Sequence, residues 1–239
     1  MNKLDILAFG AHPDDVELGC AGTILLQISL GFRVGVIDLT KGELGTRGTA
    51  EIRSKEANEA SKKMNLSIRE NLAFPDGFFE NNQENKYEII KKIRQYQPSI
   101  ILCNAKEDRH PDHGRAASLV QDASFLSGLE KVKTHHNNNP QEPFRPRVIY
   151  NYIQYNDQKP DFIVDISRFM DHKMEIIKSY KSQFYDPNSK ESETIISKKE
   201  FLDLILSRSA DLGRFISVDY AEGFCVNRYI GSRNLVDLI

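Results

Sequence analysis

"LDILAFGAHPDD", residues 4–15, runs from a near-continuous apolar stretch into a turn that carries a histidine and two adjacent carboxylates. The apolar part, 4–10, is broken only by Asp5, the pattern of a strand buried on both faces. "FRVGVIDLT" (32–40) and "SIILCNA" (99–105) read the same way, and "SIRENLAFP" (67–75) reads as a weaker strand. Between them, 16–31, 49–65, 85–98 and 114–128 have apolar residues at helical spacing, with Gly31 and Pro98 as stop signals. Buried strands separated by helices predict an α/β fold, a Rossmann-like, doubly wound and mostly parallel sheet.

Residues 128–146, rich in Asn, Pro and charge, interrupt the alternation and predict an excursion loop; His135 and His136 read there as an exposed turn. Strand patterns return at 147–155 and 161–167, helical ones at 169–184 and 197–216, and "YAEGFCVNRYIG" (220–231) closes the chain. The expected organisation is one domain over 1–239: a Rossmann-like core (1–127), the excursion (128–146) and a C-terminal completion (147–239).

A chain of 239 residues, 40% hydrophobic, buries roughly 70% of its unfolded surface and needs no disulfide or structural metal to fold. Cys20, Cys103 and Cys225 are odd in number and widely spaced, so they read as small core residues of a reduced protein. With 32 basic and 34 acidic residues the net charge is −2, which argues against nucleic acid or a polybasic membrane contact as partner. The first fifteen residues lack a signal-type apolar segment, and no run approaches a membrane span, so the expected location is cytoplasmic.

A dinucleotide fold would place G-x-G-x-x-G after the first strand. Here that turn is G-A-H-P-D-D, whose carboxylates would repel a pyrophosphate, so the ligand is not NAD. A second turn of the same composition, His110-Pro111-Asp112-His113, follows "SIILCNA". Loops at the carboxyl ends of parallel strands gather in one crevice, so the two turns can meet there and pool three histidines and three aspartates. That donor set suits a first-row divalent cation, Zn²⁺ or Fe²⁺. Asp112 reads either as an acceptor that orients a histidine or as the N-cap of a helix starting at Gly114.

"AHPDD" (11–15) paired with "HPDH" (110–113), together with "TKGELGTRG" (40–48), "EIRSKE" (51–56) and "YAEGF" (220–224), resembles the LmbE/PIG-L family of zinc-dependent N-acetylglucosaminide deacetylases. The likeness spans nearly the whole chain and is greatest to the bacillithiol-pathway branch, which acts on N-acetylglucosaminyl-malate. It implies His12, Asp15 and His113 as zinc ligands, Asp14 as general base, and His110, in protonated form, as the oxyanion donor. A tyrosine of the mycothiol branch, two residues before that histidine, is here Asp108, so a hydroxyl donor must come from elsewhere. The resemblance also implies substrate contacts by Arg53 and a homo-oligomer such as a hexamer.

Glu43 could orient a site histidine or bind sugar, Arg47 lies in the same glycine-flanked segment as a further substrate-binding candidate, and Arg109 suits the malate carboxylates. Glu222 reads as a strand-end residue near the site. The expected activity is removal of acetyl from a small sugar conjugate. The alternatives are deacetylation of a chitooligosaccharide-like or antibiotic sugar, a two-metal phosphoesterase, and a sugar-binding protein without turnover.

Overall fold

The computed structural model describes residues 3–232 and 234–237. Its central sheet opens with β1 (Ile6–Gly10), flanked by β2 (Val34–Thr40) and β4 (Ile100–Cys103), with β3 (Ile68–Phe74) outside β2. β7 (Val148–Tyr152), β9 (Ala221–Cys225) and β8 (Phe162–Asp165) extend the other side, giving the order β3-β2-β1-β4-β7-β9-β8. Pairings from β3 through β7 are parallel; those of β9 with β7 and β8 are antiparallel. The expected doubly wound, mostly parallel sheet is therefore present, and the C-terminal part completes it with an antiparallel edge.

β1 and β2 are buried along their whole length, and alternate side chains feed two cores. Ile6, Ala8, Val34 and Val36 pack under α1 (Asp15–Ser29), α2 (Ala50–Met64) and α5 (Met170–Ile177). Leu7, Phe9, Ile37 and Leu39 pack under α3 (Gln83–Tyr96) and α4 (Pro111–Leu126). The strand order reverses between β1 and β4, so the loops after these neighbouring strands open the crevice where such sheets bind ligands.

Three elements differ from the sequence expectation. Residues 128–146 contain a small hairpin, β5 (His135–His136) with β6 (Asn139–Pro140), turned by Asn137 and Asn138 at positive φ. His135 and His136 are exposed on it, and among the described residues neither joins a cluster of metal donors. The helix expected over 169–184 stops at Ile177. Beyond it Tyr180 bonds Glu17 at 2.8 Å, while the amide and hydroxyl of Ser182 both donate to Glu56 at 2.7 Å, bonds that hold the backbone in turns.

The third difference is a break inside α1. Cys20 has φ −152° and ψ 20°, and Gly19 lies flat on the Tyr152 ring, where no Cβ would fit. The broken ends are repaired from far away. Glu222 on β9 accepts from the amides of Gly22 (2.9 Å) and Thr23 (2.7 Å), while Lys173 on α5 donates to the Leu18 carbonyl (2.8 Å) and to Glu222 (2.7 Å). A carboxylate thus caps the new helix start and an ammonium the old helix end, the signs the helix dipole favours. α6 (Lys199–Gly213) packs against β9. Among the described residues no helix is long and apolar enough to cross a membrane.

Candidate active site

β1 ends on Gly10, and the next amide, Ala11, donates to Asn104 just beyond β4 at 2.9 Å. This bond ties the two loops together, and His12, His110 and His113 converge above it. Their ring centroids lie 4.7 Å (His12–His110), 5.2 Å (His110–His113) and 5.8 Å (His12–His113) apart.

Each of two histidines is held by a carboxylate through one nitrogen and presents the other to Asp15. His12 Nε2 lies 2.9 Å from Asp76 and 3.3 Å from Asp112, while its Nδ1 lies 3.5 Å from Asp15 Oδ2. His113 Nδ1 lies 2.5 Å from Asp108, and its Nε2 lies 3.1 Å from Asp15 Oδ1. Asp15 is fixed in turn by the His12 amide (2.9 Å), Asn104 (3.0 Å) and Gln154 (3.0 Å). A carboxylate behind each imidazole sets its tautomer and directs the remaining lone pair forward, the arrangement found behind metal-ligating histidines.

The same carboxylates also make both imidazoles more basic. Burial works to lower the basicity of both imidazoles, yet Asp112, Asp15 and Asp76 hold His12 well above its ordinary pKa. Asp15 and Asp108 likewise raise His113 to about 9. Burial would lift Asp15, but His113 and His12 keep it well below the usual carboxylate range. Four carboxylates around two imidazoles leave negative charge that a divalent cation would balance. Nitrogen atoms of His12, His110 and His113 lie within 4.8 Å of one another, as do donor atoms of His12, Asp76 and Asp112. The second set closes on an Nε2 already engaged with Asp76. A further candidate set is His12, Asp15 and His113, in which Asp15 lies 3.5 Å from His12 Nδ1 and 3.1 Å from His113 Nε2.

Asp14, next in sequence, has a different partner. It occupies the N-cap of α1 at φ 114°, a left-handed conformation that is strained for any residue but glycine. Arg53 holds it there, donating to the Pro13 carbonyl (2.5 Å), to Asp14 Oδ2 (3.0 Å) and to the Gly42 carbonyl (3.2 Å). Gly42, at φ 65°, has no side chain because the guanidinium fills that space. Burial raises the Asp14 carboxyl to about 7, with Arg53 opposing the shift and Asp15 adding to it.

His110 caps α4, its Nδ1 accepting from the Asp112 amide at 3.3 Å, with Pro111 in the first turn. Burial, together with the neighbouring His12 and His113, lowers its pKa. Both observations run against the expectation of a protonated His110 and leave Nε2 as the ring's donor. They also correct Asp112, which is not an N-cap, since α4 starts at Pro111 rather than Gly114. Asp112 instead accepts from the Gly77 amide (2.9 Å) and Arg115 (2.6 Å) behind His12.

The cluster opens into a cavity of about 820 Å³. Arg47, Arg53 and Arg109 line it, but Glu43 does not. Glu43 is exposed, and its carboxylate accepts from the amides of Asp76 (3.0 Å) and Lys41 (3.2 Å), so it braces the Asp76 turn instead of binding sugar or a histidine. Arg47 is buried with Ser189 (2.6 Å) and Glu191 (3.5 Å) as partners. Arg53 touches Asp14 from behind, and Arg109 lies exposed over the Tyr155 ring, 4.9 Å from its centroid.

Asp76, Asp108, Asn104 and Gln154 are site residues that the sequence does not announce as such. Asp76 carries a usable signal: "FPDGF" puts a carboxylate in a Pro/Gly turn directly after a strand, as both histidine turns do. Arg53 carries one too, since it shares the buried stripe of α2 with Ala57, Ala60 and Met64.

Fold and site together define an α/β protein with a histidine–carboxylate centre at the carboxyl edge of its parallel strands. Residues 7–124 match the family model described as PIG-L, GlcNAc-PI de-N-acetylase. The fold matches the conserved protein TT1542 from Thermus thermophilus at 34% identity and TM-score 0.84, over 97% of this chain and 100% of that one. The chain is 28% identical to the diacetylchitobiose deacetylase of Thermococcus kodakarensis, covering 75% of this chain and 70% of the relative. It is 26% identical to a Bacillus subtilis protein named "Probable N-acetyl-alpha-D-glucosaminyl L-malate deacetylase 2", over 76% and 84% of the two chains. The chain belongs to the PIG-L/LmbE family of deacetylases, enzymes that act on an amide.

Proposed function

We propose that this protein is a metal-dependent hydrolase that removes the N-acetyl group from an N-acetylglucosamine conjugate. The observation that carries the proposal is the separation of two adjacent carboxylates. Asp15 lies 3.5 Å from His12 Nδ1 and 3.1 Å from His113 Nε2, while the adjacent Asp14 is bonded to Arg53 at 3.0 Å instead. A site that only bound a metal would have no use for the second carboxylate.

His12, Asp15 and His113 would hold the cation, with Asp76, Asp112 and Asp108 fixing the two imidazoles. A bound Zn²⁺ would polarise the acetyl carbonyl and make water a usable nucleophile near neutral pH. Asp14, raised to about 7 by burial, can accept a proton from the attacking water and return it to the leaving amine. His110 offers a neutral Nε2–H to the oxygen that gains charge in the transition state.

The conjugate we favour is N-acetylglucosaminyl-malate. Similarity to the Bacillus subtilis protein supports it, and Arg109 at the cavity wall suits a carboxylate. The comparable similarity to the Thermococcus kodakarensis protein supports diacetylchitobiose as the second reading. Zinc-loaded protein incubated with each conjugate and with free N-acetylglucosamine should release amine fastest from the malate conjugate. Equal rates would contradict the choice of conjugate. No amine from any of them, or two tightly held metal ions per chain, would contradict the deacetylase reading.

A further inference from the structure

Six Lys and Arg side chains line the cavity: Arg47, Arg53, Arg109, Lys173, Lys198 and Arg208. Four have carboxylate partners. Arg47 pairs with Glu191 at 3.5 Å, Arg53 with Asp14 at 3.0 Å, Lys173 with Glu222 at 2.7 Å, and Lys198 with Glu193 at 3.3 Å. Among the described residues Arg109 and Arg208 make no ion pair, and both are anchored on the same residue. Arg109 stacks over the Tyr155 ring, and Arg208, on α6, donates to the Tyr155 carbonyl at 2.5 Å.

The nearby carboxylates are directed elsewhere or act only at longer range. Asp108 is engaged by His113 (2.5 Å) and by the Asn156 amide (2.7 Å), and Asp157 reaches Arg208 only through its field. Burial accordingly draws the Arg208 pKa below its ordinary value. Two guanidiniums set on one residue without a paired carboxylate, with Arg109 next in sequence to His110, put two forked donors on the wall of one cavity, and such forks suit carboxylate or phosphate oxygens.

We infer that Arg208 and Arg109, set on Tyr155, form an anion subsite that selects N-acetylglucosamine conjugates carrying a carboxylate or phosphate on the aglycone side. This rests on the deacetylase reading for the identity of the sugar, and it adds Arg208, a residue of the C-terminal helix, as a determinant of specificity. A neutral disaccharide would cover the two guanidiniums without matching their charge, which is how a charged subsite discriminates.

The test is equilibrium binding of deacetylated ligands, which cannot turn over, to the metal-loaded full-length chain. Calorimetry would compare glucosaminyl-malate, glucosamine 1-phosphate and methyl glucosaminide. The wild-type chain should bind at least one anionic ligand at least tenfold tighter than the methyl glycoside, and which of the two wins separates dicarboxylate from phosphate. In Arg208→Met and in Arg109→Met that preference should fall at least fivefold, with Arg208→Lys intermediate. Arg109 is exposed, so Arg109→Met still decides the matter if Arg208→Met does not fold. Equal affinity for charged and neutral ligands, or a preference that survives both Met variants, would overturn the subsite. Selective binding without deacetylation of the acetylated conjugates would instead overturn the proposed reaction and leave the subsite standing.

Discussion

Arg53 donates from one nitrogen to both the Pro13 carbonyl and the Asp14 carboxylate, at 2.5 and 3.0 Å, and thereby stabilises a left-handed Asp14. Without this bond the strained turn would relax, and Asp14 could swing toward the histidines that Asp15 faces. Arg53 is on this account a positioning residue. Arg53→Met should retain the bound metal and lose turnover by about 10²-fold or more, the scale of a misplaced general base. Arg53→Lys should recover only part of it, because one ammonium cannot reproduce a forked guanidinium. Metal content and kcat measured on the same preparation check this; near-normal kcat in Arg53→Met would contradict it.

Asp76 and Asp108 sit behind His12 and His113, at 2.9 and 2.5 Å. Asp76→Asn and Asp108→Asn should each weaken metal affinity by about 10–100-fold, the usual effect of removing a carboxylate behind a metal-bound histidine. His12→Ala and His113→Ala should lose the metal altogether. Competition against a chelator measures all four, and an Asp108→Asn chain with wild-type affinity would sink this assignment.

The Lys173–Glu222 pair splices the two halves of α1, and both groups are buried. Lys173→Met leaves the Glu222 carboxylate without its cation and frees the Leu18 carbonyl, so it should cost about 3–5 kcal/mol. Restoring neutrality in Lys173→Met/Glu222→Gln should return part of that loss, since the amide oxygen can still accept from one helix amide. Urea denaturation of the single and double variants decides it. A loss below about 1 kcal/mol in the single variant, the range of a surface pair, would contradict the splice.

What can be read from the chain follows from the range of the forces involved. The buried strands show themselves as apolar runs because both faces of β1 and β2 are covered. His12, Asp15, His110 and His113 can be brought together on paper because each follows a strand, and the alternation with helices makes those strands neighbours. The break at Cys20 is hidden, since the groups that satisfy its freed backbone, Lys173 and Glu222, lie some 150 and 200 residues away. Arg53 reads as a substrate contact only through the family resemblance, since an arginine in the first turn of a helix is ordinarily solvated; the fold places Pro13 and Asp14 against it. Asp108 reads as a missing hydroxyl, and its role behind His113 depends on the first turn of α4 bringing the two within 2.5 Å. Glu43 shows the opposite failure, a plausible ligand whose carboxylate is directed to backbone amides.

The central claim is that Asp14 and Asp15 divide the labour of one turn, and Asp14→Asn compared with Asp15→Asn tests it most directly. Asp14→Asn keeps the shape but cannot accept a proton, so it should carry a full complement of metal while turnover falls by roughly 10²–10⁴-fold. Asp15→Asn removes the carboxylate that faces His12 and His113, so it should be isolated metal-poor and regain part of its activity in excess Zn²⁺. Metal content and deacetylation rate, measured side by side with and without added Zn²⁺, give the answer. An Asp14→Asn chain that loses its metal, or turns over at close to the wild-type rate, would contradict the account.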